Sequence, residues 1–187
     1  MKEETKPAIR REIQQALRKS APASRAAWSS RIVDHLSDLP RFLESRTVLL
    51  FAPLPSEPNL LPLLEAPEFS GRRWVFPRIS GQDLRLHLVE RTGELSPGTG
   101  NILEPTPGSR AVSAAEIDFA LVPGLAFDPA AGMRLGRGGG YYDRLLAKPG
   151  FRAFALGVCF SLQLRAGLPC EAHDVPVHAI LTELGVA

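Results

Sequence analysis

The run from Asp118 to Leu146, DFALVPGLAFDPAAGMRLGRGGGYYDRLL, constrains the fold more than any other part of the chain. It opens with Phe119-Ala120-Leu121-Val122, a short apolar stretch of the kind that forms a buried strand. Pro123-Gly124 breaks that strand. A loop follows, and the chain reaches Arg134-Leu135-Gly136-Arg137-Gly138-Gly139-Gly140-Tyr141-Tyr142-Asp143. A helix is predicted from Tyr141, carrying Leu145 and Leu146 into the core. Strand, glycine-rich loop and helix in succession present backbone N–H groups to an anion. Glycine allows close approach of the main chain to a phosphate. Arg134 and Arg137, set between the glycines, supply forked donors for phosphate oxygens, and Asp143 brings a carboxylate suited to magnesium. The competing explanation is a tight turn whose glycines serve conformation only. The two arginines argue against it, because like charges crowd in one short loop unless something neutralises them. Two common phosphate motifs are excluded. The dinucleotide fingerprint needs glycine where Tyr141 stands, and no Gly-Lys-Ser/Thr occurs.

A chain of 187 residues suits a single domain, residues 1–187, with enough length to bury a full core. The apolar fraction of 44% and the near-zero mean hydropathy describe a soluble globular protein. No apolar run is long enough to cross a bilayer, and the polar MKEETKPAIRREIQ start lacks the apolar core of a secretory signal, so a cytoplasmic protein is expected. A net charge of +2 is too balanced for a general nucleic-acid binder. Cys159 and Cys170 form no C-x-x-C pair and read as isolated thiols.

Along the chain, residues 7–19 are predicted helical, with Ile9, Ile13, Ala16 and Leu17 on one face. Lys6, Arg10 and Arg11 read as a solvated basic face. A second helix is expected over 24–39, capped by Ser24 and striped by Trp28, Ile32, Leu36 and Leu39. Buried strands are expected at Thr47–Ala52 and at Arg73–Pro77. A half-wet strand carries Leu84, Leu86 and Leu88, with His87 facing outward. Residues 94–110 read as a loop, and Glu104 within it takes no firm role. Further strands are expected at Ala153–Phe160 and near Ala179–Thr182. Strands separated by crossovers point to an α/β fold with a mainly parallel sheet and helices on both faces. Glu57 follows the first strand in a loop at its carboxyl end, where such proteins keep their sites.

The central segment closely resembles the signature of the 5-formyltetrahydrofolate cyclo-ligases. Their pattern is a Pro-Gly-x-x-Phe-Asp turn and then Arg-Leu-Gly-x-Gly-x-Gly-Tyr-Tyr-Asp, matched here by Pro123, Gly124, Phe127, Asp128 and Arg134 to Asp143. The resemblance implies a three-layer α/β/α sandwich and an ATP-dependent ring closure of 5-formyltetrahydrofolate to 5,10-methenyltetrahydrofolate. It implies an ATP site made of Lys6, Arg10, Arg134, Leu135, Gly136, Arg137, Gly138, Gly139, Gly140, Tyr141 and Tyr142. The implied folate site comprises Arg10, Ala52, Glu57, Arg137 and Tyr141, with Arg137 and Tyr141 as catalytic groups. Magnesium would be held by Asp143 and Asp174. Reduced folate and ATP are then the partners, with no nucleic acid or membrane, and the protein is expected as a monomer. Some family members carry lysine where Gly139 stands here; either Arg137 or Lys6 supplies the missing charge, or turnover is slower. A non-catalytic nucleotide or folate binder on the same fold is the alternative.

Overall fold

The computed structural model describes residues 4–187. Three helices open the chain: α1 (Lys6–Lys19), α2 (Pro22–Ser37) and α3 (Pro40–Glu44). Proline stands in the first turn of each, where its missing N–H costs nothing. That explains why α2 starts at Pro22 and not after Ser24, the cap expected from sequence: proline sets the backbone angle two residues earlier.

The core of the molecule is an eight-stranded sheet in the order β12-β11-β10-β7-β1-β2-β3-β6. Its parallel centre comprises β11 (Ala179–Thr182), β10 (Phe154–Val158), β7 (Phe119–Pro123), β1 (Thr47–Leu49) and β2 (Arg73–Ser80). Antiparallel strands β3 (Asp83–Leu88), β6 (Ala111–Val112) and β12 (Gly185–Val186) finish the two edges. Alternate residues feed opposite layers. Val48, Trp74, Phe76, Phe119 and Leu121 pack under Ile9, Ile13, Leu17, Ile32, Leu36 and Phe42 of the first three helices. Leu49, Val75, Ala120, Val122 and Ile180 face the other way, toward Leu145 of α5 (Tyr141–Leu146). The architecture is therefore the three-layer α/β/α arrangement, with the second helical layer thin where α5 is the main covering element.

Two segments read as loops are paired strands. Residues 94–110 contain a ribbon of β4 (Leu95–Pro97) and β5 (Leu103–Pro105). The stretch after Pro123-Gly124 forms a second ribbon, β8 (Ala126–Asp128) with β9 (Met133–Leu135). Both ribbons are short and rich in proline or glycine, so periodicity has too few residues to reveal them. Phe127 anchors the second ribbon. It is fully buried, and its ring fills the space that β-carbons would occupy at Gly124 and at Gly157, 2.8 Å and 2.5 Å away. His87 is not the outward residue expected: its Nδ1 lies 2.8 Å from the Ser109 carbonyl, and its Nε2 is buried without a partner. The turn at 106–110 folds over it. The segment Thr47–Ala52 pairs only as far as Leu49, yet Leu50, Phe51 and Ala52 continue it as buried chain into the site.

Candidate active site

In the strand order, the chain leaves β1 toward β2 on one side, while β7 lies on the other. This is the switch point at which open α/β sheets hold ligands beyond the carboxyl ends of their strands. A cavity of about 170 Å³ opens there. Phe51, Ala52, Leu54 and Glu57 line it after β1, and Pro123 and Gly124 at the end of β7. One wall is the glycine loop, through Arg134, Gly136, Arg137, Gly139, Gly140, Tyr141, Tyr142 and Asp143. The opposite wall is apolar, made by Pro77, Ile79, Leu84, Ile102 and Leu103, with Glu104 among them.

The two loop arginines part company. Arg137 reaches across the mouth to Glu57, donating from Nη2 at 2.8 Å and from Nε at 3.1 Å to Oε1. Its side chain is 39% exposed. Arg134 points inward and is 2% exposed. It donates to Asp143 Oδ1 at 2.8 Å and to the Val175 carbonyl. Burial pulls its guanidinium below the ordinary arginine value, and the Asp143 carboxylate pushes back. The crowding of charge that the sequence suggested is thus relieved within the protein, each arginine by its own carboxylate. Arg134 gives two of its five N–H donors to the fold and still lines the cavity, so any part it takes at the phosphates falls to the donors that remain.

The first turns of α1 lie over the loop. Arg10 Nε donates to the Gly136 carbonyl at 2.9 Å, and its guanidinium carbon is 3.8 Å from the β-carbon position of Gly138. Gly138 and Gly140 take positive φ, +109° and +64°, a region that favours glycine. Lys6 pairs with Asp174 at 2.7 Å and Glu171 at 3.0 Å. These cations, read as a solvated face from periodicity alone, are instead tied down, Arg10 to the glycine loop and Lys6 to the 171–174 segment. Leu135 is buried beneath the loop. Tyr141 lines the cavity. Tyr142 does too, but its hydroxyl is buried without a partner, and burial pushes its phenol well up, with Glu57 adding to the effect.

Asp143 is tied to the backbone beside Asp174: the Val175 N–H, next to Asp174 in sequence, donates to Asp143 Oδ1 at 3.2 Å. Among the described residues no cluster of three metal-binding side chains occurs. Magnesium does not need one, since it is usually held by one or two carboxylates together with substrate phosphates and water. Asp143 Oδ1 and Asp174 Oδ2 take the protein's own donors, from Arg134 and Val175 and from Lys6 and Glu171. The other oxygen of each carboxylate accepts no hydrogen bond from the described residues, so the hard-oxygen donor set fits.

Sequence reasoning missed the apolar wall and Arg144. The wall comes from β2, β3 and the 95–105 ribbon, whose side chains meet only through tertiary packing. Arg144 donates to the Gly139 carbonyl at 2.8 Å and to the Gln82 carbonyl, and lies 5.2 Å from the Tyr141 ring centre. It brings a cation to the Gly139 end of the loop. A β-carbon at Gly139 would stand 2.7 Å from the Tyr141 ring, so a side chain there would displace Tyr141.

A mainly parallel sheet with an arginine-bearing glycine loop facing an apolar wall defines a class of α/β protein whose cleft sets cationic donors on one side and apolar side chains on the other. Comparison with known proteins narrows it. The family model for the 5-formyltetrahydrofolate cyclo-ligase family matches residues 2–183. A 5-formyltetrahydrofolate cyclo-ligase of Mycolicibacterium smegmatis is 32% identical over 179 residues, covering 92% of this chain and 87% of that protein. One from Mus musculus is 27% identical over 190 residues, covering 95% and 93%. The solved structure of Aquifex aeolicus 5,10-methenyltetrahydrofolate synthetase superposes with a TM-score of 0.83 at 31% identity, covering 97% of this chain and 91% of that one. The chain belongs to the 5-formyltetrahydrofolate cyclo-ligase family.

Proposed function

We propose that this protein catalyses the ATP-dependent closure of 5-formyltetrahydrofolate to 5,10-methenyltetrahydrofolate, releasing ADP and phosphate. The formyl oxygen attacks the γ-phosphorus of ATP and ADP leaves. The folate N10 then adds to the activated formyl carbon and loses its proton. The carbon–oxygen bond breaks, and phosphate departs to leave the methenyl cation. No covalent enzyme nucleophile is required; alignment of two substrates and stabilisation of the transferring phosphoryl group suffice. The observation that carries this reading is the Arg137–Glu57 bridge, which joins the arginine of the glycine loop to the carboxylate at the end of β1 across one cleft.

In this reading the Gly136–Gly140 backbone, Lys6, Arg10 and Arg137 hold the phosphates. Arg137 turns from Glu57 to the nucleotide as it arrives, and Glu57 is released to accept the amino and amide N–H groups of the pterin. Ala52 and Tyr141 flank the heterocycle, and Tyr142 underlies the loop. Magnesium, held by Asp143 and Asp174, would supply charge neutralisation at the β- and γ-phosphates. Arg134 orients Asp143 through one side of its guanidinium and turns its remaining donors to the phosphate end of the site. No described helix is long and apolar enough to cross a membrane, and the partners in this reading are the two small substrates taken up by a monomer in the cytoplasm. The test mixes protein, 5-formyltetrahydrofolate, ATP and magnesium and follows the near-ultraviolet absorbance of the methenyl product. Absorbance grows with ATP and stays flat without it. Growth without ATP, or none with it, removes the reading in favour of a non-catalytic binder.

A further inference from the structure

Of the carboxylates that line the cleft, Glu57 and Glu104 differ in how much acceptor capacity remains. Glu57 is well used: Oε1 takes both donors of Arg137, and Oε2 takes the Leu54 N–H at 3.0 Å. Glu104 is only 5% exposed, yet its sole hydrogen bond from the described residues is a long one, from the Ile79 N–H to Oε1 at 3.3 Å. Arg78 Nε lies 3.7 Å from Oε2, an ion pair but not a hydrogen bond. A carboxylate offers about four lone-pair sites; Oε2 accepts no hydrogen bond from the described residues and is not sealed from solvent, so Glu104 keeps open acceptor capacity on a side chain that lines the cleft. The ribbon is also shaped around this group. A β-carbon at Gly98 would lie 2.4 Å from both Cδ and Oε2 of Glu104, so glycine there is what lets the carboxylate lie against the hairpin. Its neighbours Ile102 and Leu103 belong to the apolar wall, so Glu104 is the polar group on that wall of the cleft.

We infer that Glu104 is a further folate-binding residue, accepting an N–H donor of the reduced pterin that Glu57 does not reach. The inference rests on the cyclo-ligase reading above. A reduced pterin presents N–H groups at its 2-amino nitrogen, N3 and N8. One planar carboxylate pairs with two adjacent donors, the amino and N3 groups. That leaves N8–H to be desolvated on entering an apolar slot, and an unmatched buried donor weakens binding. Glu104 supplies the missing acceptor and so fixes which way round the ring lies.

The test measures equilibrium binding of 5-formyltetrahydrofolate and of its 8-deaza analogue, in which N8–H is replaced by a methylene group. A non-hydrolysable ATP analogue and the melting temperature serve as controls. The wild type prefers the natural ligand by ~10- to 100-fold, the range for a charge-assisted hydrogen bond to a site built for it. Glu104→Leu, close in volume but without an acceptor, binds the two folates alike and keeps its nucleotide affinity. Glu104→Gln retains one acceptor oxygen for Ile79 and shows a reduced preference; it carries the test if the leucine variant does not fold. A preference that survives in both variants overturns the inference, as does a joint fall in folate affinity, nucleotide affinity and melting temperature, the mark of a strut between ribbon and sheet. A wild type that cyclises the natural folate yet shows no preference sinks the inference and leaves the cyclo-ligase reading standing.

Discussion

The two ends of the glycine loop carry the same residue type and opposite surroundings. At the inner end Arg134 is packed between Asp143 and the Val175 carbonyl; at the outer end Arg137 spans an open mouth to Glu57. A buried guanidinium cannot leave its carboxylate without a large desolvation loss, whereas an exposed pair contributes little stability and exchanges partners readily. The inner arginine holds the loop; in the function proposed above, the outer one trades its carboxylate for a phosphate. On that reading, burial divides identical chemistry between scaffold and reaction.

The comparison breaks most visibly at Asp143. Asp143→Ala leaves the Arg134 guanidinium buried and unpaired, at a cost of about 3–5 kcal/mol. It also removes a proposed magnesium ligand, so both melting temperature and turnover collapse. Arg134→Met is milder, about 1–3 kcal/mol, because the carboxylate it abandons is 19% exposed and can reach water. The double variant, followed by denaturant titration, recovers part of the loss if the two groups act as one pair. Additive losses would show that Arg134 works through other partners.

Next in size is the support beneath the inner end. Gly157→Ala drives a methyl group into the Phe127 ring, and overpacking of this kind costs about 1–3 kcal/mol. Turnover at a temperature well below melting stays within a few-fold of wild type, since the ribbon's outer face is untouched. The smallest effect concerns Asp128, which holds the turn of the same ribbon. Burial alone would raise its carboxyl, but N–H groups of Gly167, Ala130 and Ala131 outweigh this and hold it below the ordinary 3.8. A depressed carboxylate stabilises the fold above its unfolded value, and the contribution fades as pH falls through the lower folded one. Wild type therefore loses stability below about pH 3.8 more steeply than Asp128→Asn, and the two curves run parallel above that pH.

The outer end was largely legible in the sequence. Glycine spacing, the helix start at Tyr141 and the strand before it are local features, and local features survive folding. The inner end was not. Nothing in Arg134-Leu135-Gly136-Arg137 says which arginine turns inward; that is decided by β9 pairing with β8 and by the return of the chain at Val175. The same holds for the apolar wall. Ile79, Leu84, Ile102 and Leu103 come from separate segments, and Glu104 looks like a loop charge until Gly98 and Ile79 are seen against it. Lys6 and Arg10 lay on a helix face with no internal sign of a ligand. Only the resemblance to cyclo-ligases assigned them to the cleft; the structure puts Arg10 on the Gly136 carbonyl and Lys6 on Asp174.

Arg137→Ala, measured in the ATP-dependent absorbance assay, tests the division of labour most directly. The account expects turnover to fall by at least ~10²- to 10³-fold, as when a donor to a transition-state anion is removed, while the melting temperature falls less than in Asp143→Ala, because the group left behind, Glu57, keeps the Leu54 N–H and no buried guanidinium is orphaned. Normal turnover in this variant would contradict it, and so would a melting temperature lowered as far as that of Asp143→Ala.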